Sequence, residues 1–174
     1  MQRILILGSG GAGKSTLANQ IQQITALPII HLDEHYWNAN WQPTATPIWE
    51  EKVKVLTQQE AWIMDGNYGG TLELRLQRAD AVVFLEMPRL LCIQRVLFRT
   101  IRHYKKTRPS LHPNCPERFS WEFIRYLWNY PNKNGPNALK KVQKSKVPLF
   151  QLKNKAQIKA FLGFLAKNQP QTLL

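Results

Sequence analysis

Near its start the chain carries the apolar run Ile4-Leu5-Ile6-Leu7, which leads directly into Gly8-Ser9-Gly10-Gly11-Ala12-Gly13-Lys14-Ser15. The run predicts a strand buried on both faces of a parallel sheet, because such strands are apolar without alternation. The glycine-rich stretch has glycines at both fixed positions of a phosphate-binding loop, followed by the lysine and serine that this loop requires. A helix is expected next, since Leu17, Ile21 and Ile24 recur at helical spacing. This order of strand, loop and helix predicts a nucleoside-triphosphate site.

Each residue type in the loop has a predicted role. The residues expected to bind the nucleotide are Gly8, Gly10, Gly11, Ala12, Gly13, Lys14, Ser15 and Thr16. The glycines let successive backbone amides turn towards the phosphates, Lys14 is expected to reach the terminal phosphates, and the Ser15 hydroxyl is expected to bind Mg²⁺. The guanine-recognition sequence Asn-Lys-x-Asp does not occur in the chain, which favours ATP over GTP.

The composition predicts one globular domain spanning residues 1–174. With 44% hydrophobic residues and six tryptophans, the chain can bury enough apolar surface to offset its conformational entropy, which excludes wholesale disorder. The longest apolar stretches, such as Ala81 to Leu85, are far shorter than a membrane span, so we expect neither a signal peptide nor a membrane partner. Only Cys92 and Cys115 are present, which favours a reducing, cytoplasmic location.

Further strand-like runs alternate with helical stretches along the chain. They are Ile29 to Leu32, Trp62 to Met64, Ala81 to Leu85 and Val147 to Leu152, and the last precedes a helix-like stretch over 156–166. Together with the first run, they predict an α/β domain with a parallel sheet of five strands. Ligands of such sheets bind at the carboxyl ends of the strands, so the functional residues are expected there.

Two aspartates, Asp33 and Asp65, stand at such strand ends. We expect Asp65 to hold Mg²⁺ together with Ser15, and Asp33 to orient the phosphoryl acceptor. A turn or helix-cap role for either aspartate stays open, because Asp is common at such positions. His31 and His35 flank Asp33, but no third histidine stands nearby, and no transition-metal site is expected.

Residues 33–61 are predicted to form a short substrate flap above the sheet. The segment contains Tyr36, Trp37, Trp41 and Trp49, and prolines interrupt it. These rings are suited to stacking on a base or a sugar, or to forming a small hydrophobic cluster beneath a loop.

Basic residues recur at helical spacing between residues 89 and 106. Among them, Arg95 and Arg99 are predicted to bind polyphosphate, although a solvated basic face is the alternative. The apolar stripe of the same helix is Leu90, Ile93, Leu97 and Ile101. This stripe is expected to face the core. Residues 103–120 are predicted to form a basic lid that closes over the nucleotide and excludes water from the transfer step.

The charge of the chain is strongly asymmetric. Residues 1–86 carry 6 Lys and Arg against 9 Asp and Glu, whereas residues 87–174 carry 18 against 2, so the second half has a charge of +16 and the chain +13. Such a field attracts polyanions. The alternative function is therefore nucleotide-dependent DNA binding. Its candidate base contacts are Trp121, Tyr126, Trp128 and Tyr130. The spacing of Trp121, Ile124 and Trp128 is also that of an ordinary buried helical stripe.

These motifs resemble those of the small P-loop kinases related to adenylate kinase and shikimate kinase. Gly8 to Ser15 is similar to their nucleotide loop, Asp65-Gly66 to the Asp-Gly after their third strand, and Arg95 with Arg99 to the arginine pair at their lid. The sequences around Asp33, Asp65-Gly66-Asn67-Tyr68 and Arg118 to Trp128 more closely resemble bacterial DNA topology modulation proteins.

The resemblance implies a three-layer α/β/α P-loop NTPase fold with a short substrate flap and a basic lid. It also implies a Mg-ATP-dependent kinase acting on a small-molecule acceptor such as a nucleoside, a nucleotide or a hydroxylated metabolite. The implied catalytic residues are Lys14, Asp33, Asp65, Arg95 and Arg99, with Arg95 near adenine and Arg99 on the phosphates. Asn67-Tyr68 stands where adenylate kinases have Phe-Pro-Arg, so the arginine that grips a monophosphate is missing. Arg75 or Arg78 is a candidate replacement, unless both lie on a solvated helix.

Overall fold

The computed structural model describes residues 1–107, 111–112 and 114–168. The strands are β1 (Arg3–Gly8), β2 (Ile29–His31), β3 (Trp37–Asn38), β4 (Gln42–Pro43), β5 (Trp62–Asp65), β6 (Ala81–Leu85) and β7 (Leu149–Leu152). The helices are α1 (Lys14–Thr25), α2 (Leu32–Tyr36), α3 (Thr46–Thr57), α4 (Leu72–Leu76), α5 (Arg89–Arg102), α6 (Trp121–Asn129), α7 (Asn134–Ser145) and α8 (Lys155–Lys167). Short 3₁₀ turns cover Ala39–Trp41, Gly69–Thr71 and Tyr130–Asn132. The alternation of strands and helices expected from the sequence is confirmed.

The central sheet has five parallel strands, as the apolar runs predicted, and their order is β2-β5-β1-β6-β7. The middle strand is β1, where Ile4 pairs with Ile63 of β5 on one side and with Ala81 of β6 on the other. The chain crosses to one edge of the sheet after β1 and later returns to the opposite side at β6. The loop after β1 therefore lies at the point where the strand order reverses, which is where open α/β sheets bind ligands.

Helices cover both faces of the sheet, because alternate residues of its strands point in opposite directions. Ile4 and Ile6 pack in one apolar cluster with residues of α1 and α8. Leu5 and Leu7 pack in a second cluster with residues of α3 and α7. The result is the expected three-layer α/β/α architecture.

Asp80 forms hydrogen bonds with the residues at the start of the central strand, β1. Its carboxylate accepts bonds from the backbone amides of Gln2 and Arg3, at 2.8 and 2.9 Å, and from the Arg3 guanidinium at 2.8 Å. Partial burial opposes ionisation of Asp80, but the bonds from Arg3 and the two amides outweigh this effect and lower its pKa. Ionised Asp80 therefore stabilises the fold at neutral pH.

Replacing Asp80 with asparagine should lower the free energy of unfolding by about 1 kcal/mol at pH 7. Because the pKa is lower in the folded than in the unfolded protein, the difference should persist above about pH 5. It should then shrink as the pH falls below the unfolded value of about 3.9. Urea unfolding between pH 3 and pH 8 measures this, with Glu50→Gln on the exposed side of α3 as the control. A deficit independent of pH would contradict the assignment.

Residues 33–61, which were predicted to be a substrate flap, form regular secondary structure over much of their length. Its first part forms α2 and the small antiparallel pair β3–β4, and its second part is α3. Trp49 and Val53 of α3 are buried in the cluster beneath the sheet. Trp49 therefore belongs to the core, and the function of residues 33–61 as a substrate flap stays a prediction.

The apolar stripe of α5 that was predicted to face the core is not the stripe that is buried. Leu90 and Ile101 are 70% and 77% exposed, and Leu97 is exposed as well. The buried residues are instead Cys92, Val96 and Thr100. Their smaller side chains let α5 approach the loop after β1 closely, which turns the larger apolar residues outward.

The alternative interpretation of Trp121, Ile124 and Trp128 as a buried helical stripe is also wrong. Trp121 is 74% and Trp128 50% exposed, and Leu127 is the buried residue of α6. The Arg89 guanidinium lies 4.6 Å from the centre of the Trp128 ring, in a cation–π contact. None of the helices in the described ranges is long and apolar enough to span a membrane.

Candidate active site

The loop between β1 and α1 wraps tightly at the carboxyl edge of the sheet. The predicted residues Gly8 to Ser15 form this loop and the first turn of α1, and Thr16 is exposed on the same turn. Gly11 has a φ of +75°, and a Cβ there would lie 2.3 Å from the carbonyl oxygen of Cys92 in α5. Only glycine fits this position, because any side chain would collide with the backbone of the neighbouring helix. The loop is thus shaped by close backbone approach, as a phosphate cradle requires.

Lys14 lies folded over this loop. Its Nζ donates hydrogen bonds to the carbonyl oxygens of Gly8 and Ser9, at 3.0 and 3.1 Å. Burial lowers the pKa of Lys14, although the charges of Asp65 and Asp33 oppose this shift. The hydrogen-bond partners of the half-buried ammonium are two neutral carbonyls, so an incoming phosphate would supply a charged acceptor at bonding distance.

Ser15, Asp65 and His31 form a line of polar groups at the ends of α1, β5 and β2. The Ser15 hydroxyl donates to Oδ2 of Asp65 at 2.7 Å, and Nδ1 of His31 lies 2.8 Å from Oδ1. The hydrogen bond to Asp65 raises the pKa of His31 despite partial burial. The sequence indicated Ser15 and Asp65, whereas the contact of His31 with Asp65 was missed.

The pair Ser15 and Asp65 has the chemistry of a magnesium site. Both offer hard oxygen ligands, and both lie beside the phosphate loop. Within residues 1–107, 111–112 and 114–168, no group of three or more His, Cys, Asp or Glu side chains is placed to hold a metal ion. A magnesium ion here would therefore take its other ligands from phosphate and water, which is its usual preference.

Arg95 and Arg99 extend from the inner side of α5. The Nη1 atom of Arg95 lies 3.4 Å from the Gly11 carbonyl oxygen and 3.5 Å from that of Ala12, so this side chain borders the loop. Arg99 instead forms an ion pair with Glu117, which is buried, with 3.2 Å between Nε and Oε1. The structure therefore places Arg95 at the loop and ties Arg99 to residue 117 of the predicted lid.

The predicted lid, residues 103–120, also contacts the β3–β4 region. Nε1 of Trp41 donates to the Pro116 carbonyl at 2.9 Å, and the Asn40 amide donates to the Asn114 carbonyl at 2.9 Å. Residues 108–110 and 113 of the predicted lid lie outside the described residues. The described part links the tips of the two segments expected to enclose the substrates.

Asp33 lies on the first turn of α2 with its side chain exposed. The Tyr68 hydroxyl donates to its Oδ1 at 2.6 Å, and the Tyr68 ring packs against Tyr36 and Trp49 at centroid distances of 4.7 and 4.9 Å. Burial raises the pKa of Tyr68, followed in effect by the charge of Asp33, so the phenol stays a donor. Asp33 is thus held in one orientation by a rigid aromatic cluster, with the carboxylate open to solvent.

Arg75 does not supply a charge for the acceptor. It is fully buried, and its guanidinium donates to the carbonyl oxygens of Thr71, Gly66, Asn67 and Tyr68 at 2.6 to 3.3 Å. Burial lowers its pKa to about 9, which still leaves it charged at neutral pH. The expectation of a substrate-facing or solvated arginine is wrong here, because the turn after β5 needs an internal donor for four carbonyl groups. Arg78 is exposed.

Comparisons with known proteins support the fold. No protein-family model and no curated protein sequence matches the chain. Shikimate kinase from Acinetobacter baumannii in complex with shikimate matches with a TM-score of 0.56 and 19% identity, over 98% of this chain and 96% of that one. A gluconokinase from Sinorhizobium meliloti 1021 matches at 0.54 and 14%, over 96% and 94%. Deoxyadenosine kinase from M. mycoides with bound dCTP matches at 0.52 and 16%, over 95% and 99%. The chain therefore shares the fold of these kinases over nearly its whole length.

Proposed function

We propose that the protein is a Mg-ATP-dependent kinase that transfers the γ-phosphate to a hydroxyl group of a small molecule. The observation that carries this proposal is the convergence of Lys14, the pair Ser15 and Asp65, and Arg95 on one glycine loop at the switch point of the sheet. The likeness in fold to shikimate, gluconate and deoxyadenosine kinases supports it.

The positive groups around the loop suit a nucleoside triphosphate. Lys14 would exchange its bonds to two neutral carbonyls for bonds to phosphate oxygens, which are stronger because both partners are charged. Arg95 borders the same loop from α5 and adds a second cation. Bound Mg²⁺, held by Ser15 and Asp65, would neutralise phosphate charge during transfer. The direct Ser15–Asp65 hydrogen bond keeps these two oxygens together.

Asp33 is the proposed base for the acceptor hydroxyl. Its carboxylate is exposed at the carboxyl edge of the sheet, and the Tyr68 hydroxyl occupies only Oδ1. Oδ2 would then accept the hydroxyl proton of the acceptor as its oxygen attacks the γ-phosphorus, and ADP leaves. Arg99 is proposed to act on the phosphates when the predicted lid, which it now anchors through Glu117, rearranges around the nucleotide.

Asp65→Asn should raise the Mg²⁺ concentration needed for half-maximal ATP turnover by about 10- to 100-fold. Asparagine keeps the size of the side chain but removes the charge that attracts the metal. Turnover measured across a magnesium titration checks this, with Glu73→Gln, an exposed carboxylate on α4, as the control. An unchanged magnesium requirement would remove Asp65 from the metal site.

The acceptor can be searched for with pooled compounds. Pools of hydroxy acids, sugars, nucleosides and nucleoside monophosphates are incubated with Mg-ATP and the protein, and phosphorylated products are identified by mass spectrometry. We expect one chemical class to be phosphorylated by the wild-type protein and not by Asp33→Asn. ATP binding without any phosphorylated product across all pools would count against kinase activity.

The alternative of nucleotide-dependent DNA binding, and a close relation to DNA topology modulation proteins, stay predictions. Two of the aromatic residues expected to contact bases, Tyr126 and Tyr130, instead bond to Asn67 inside the protein. The matched kinase folds lend the DNA alternative no support.

A further inference from the structure

Asn67 makes a two-bond contact with the first residue of the phosphate loop. Oδ1 of Asn67 accepts from the Gly8 amide at 3.1 Å, and Nδ2 donates to the Gly8 carbonyl at 2.9 Å. A flipped amide would set the side-chain oxygen against the Gly8 carbonyl and the NH₂ group against the Gly8 N–H, so the backbone of Gly8 determines the orientation. The Asn67 side chain therefore forms hydrogen bonds with both backbone polar groups of Gly8.

Two tyrosine hydroxyls form hydrogen bonds with the Asn67 side-chain amide. Tyr130 donates its hydroxyl to Oδ1 at 3.2 Å, and Nδ2 donates to the Tyr126 hydroxyl at 3.2 Å. Together with the Gly8 contacts, these bonds use both donors and both acceptor positions of the amide. Burial raises the pKa of both phenols, so they stay protonated and the network stays intact at neutral pH.

The position of Gly8 depends on hydrogen bonds that other residues make to its backbone. Its φ is +145°, and a Cβ there would lie 2.6 Å from the Leu85 carbonyl oxygen, so no side chain can fix this residue. Its carbonyl is also one of the two acceptors that hold Lys14. If Lys14 leaves this carbonyl for a phosphate, Asn67 still satisfies it, and the loop keeps its shape.

We infer that Asn67 is a positioning residue of the nucleotide site, which holds Gly8 so that the phosphate loop is preformed for ATP. This rests on the proposed nucleotide-binding function. Asn67 belongs to the turn after β5 that Arg75 stabilises, and its tyrosine partners belong to α6 and the turn after it. The shape of the loop is thus tied to two elements distant in sequence.

The test compares Mg-ATP affinity, measured by calorimetric titration, in Asn67→Ala, Asn67→Asp and the wild-type protein. Both variants should bind ATP about tenfold more weakly or worse. Asn67→Asp retains an acceptor for the Gly8 amide, but it has no donor for the Gly8 carbonyl. Tyr126→Phe and Tyr130→Phe should each show a smaller loss, of about two- to fivefold. Asn129→Ala is the matched control, because Asn129 lies between the two tyrosines in the chain and its described side-chain bond goes to the Arg125 carbonyl, not to Asn67.

The readouts separate positioning from a general loss of structure. Positioning raises the dissociation constant at unchanged stoichiometry, and in steady state it raises KM for ATP more than it lowers kcat. A merely structural role would lower the bound fraction and leave the affinity of the remaining folded protein unchanged, which would overturn the inference. Equal ATP affinity in Asn67→Ala and the wild type would also overturn it.

Hydrogen exchange of the Gly8 amide tests the same contact without nucleotide. Exchange should be at least about tenfold faster in Asn67→Ala than in the wild type and unchanged in Asn129→Ala. If the wild-type protein bound no ATP, the proposed function would fail, and this comparison would still decide the contact. Equal exchange rates would overturn the inference.

Discussion

Lys14→Ala is expected to lower the rate of phosphoryl transfer from ATP by about 10³-fold. The ammonium of Lys14 lies within hydrogen-bond distance of two loop carbonyls and has a pKa lowered by burial. In this setting a phosphate is its best available partner, and the negative charge that moves during transfer would lie next to it. Alanine removes this cation from the centre of the loop and would leave the phosphates without its charge.

The control for this prediction is Lys159→Ala. Lys159 is exposed on α8, so its removal changes the net charge by the same amount without touching the loop. Initial rates of ADP formation with the identified acceptor measure both variants, after thermal unfolding has shown that each is folded. Retention of more than about a tenth of wild-type activity by Lys14→Ala would contradict the role of this lysine.

Arg75→Met is expected to lower the free energy of unfolding by about 3 kcal/mol or more. Methionine fills a similar volume but leaves four carbonyl groups of residues 66–71 without the donor they now share. Arg75 is 0% exposed, so water cannot easily reach these groups in its place. The variant should also weaken ATP binding, because the turn that carries Asn67 would loosen.

Arg78→Met provides a matched comparison for stability. Arg78 is exposed, and its single described bond is a long one of 3.4 Å to the Thr57 carbonyl. Its replacement should change the free energy of unfolding by less than about 1 kcal/mol. Urea unfolding of both variants measures the contrast. Similar losses for Arg75→Met and Arg78→Met would show that the buried network is not the stabilising element.

The first strand, the phosphate loop and α1 could be predicted because their signals are local. The apolar run fixes β1, glycines mark each tight part of the loop, and Lys14 and Ser15 follow at a fixed spacing. Asp65 stood out for a similar reason, because it ends an apolar run that was predicted to be a strand. The structure brings it to Ser15 because β5 pairs with β1.

The orientation of α5 could not be predicted from its pattern. Periodicity identifies an apolar stripe but does not show whether a stripe of smaller residues packs more closely. Here Cys92 and Val96 lie against the loop at Gly11, and the larger Leu90 and Ile101 face outward. The decisive contact joins α5 to a glycine about 80 residues earlier in the chain, which no local pattern reveals.

Asn67 and Arg75 were missed for a related reason. Asn67 first stood out only as a departure from the adenylate kinase pattern, yet it bonds to Gly8, 59 residues away, and to two tyrosines beyond the predicted lid. Arg75 looked like a surface or substrate cation because most arginines are exposed. Its true partners are the backbone carbonyls of an irregular turn, and such geometry is visible only in three dimensions.

In the proposed reaction, ATP donates its γ-phosphate to a hydroxyl group at this loop. Phosphorus NMR of Mg-ATP incubated with the wild-type protein and the pooled acceptors tests it most directly, with Lys14→Ala in parallel. We expect the ATP signals to decline, ADP and one new phosphate-ester signal to rise together, and both changes to be absent with Lys14→Ala. Unchanged ATP, or release of inorganic phosphate alone whichever acceptor is present, would contradict it.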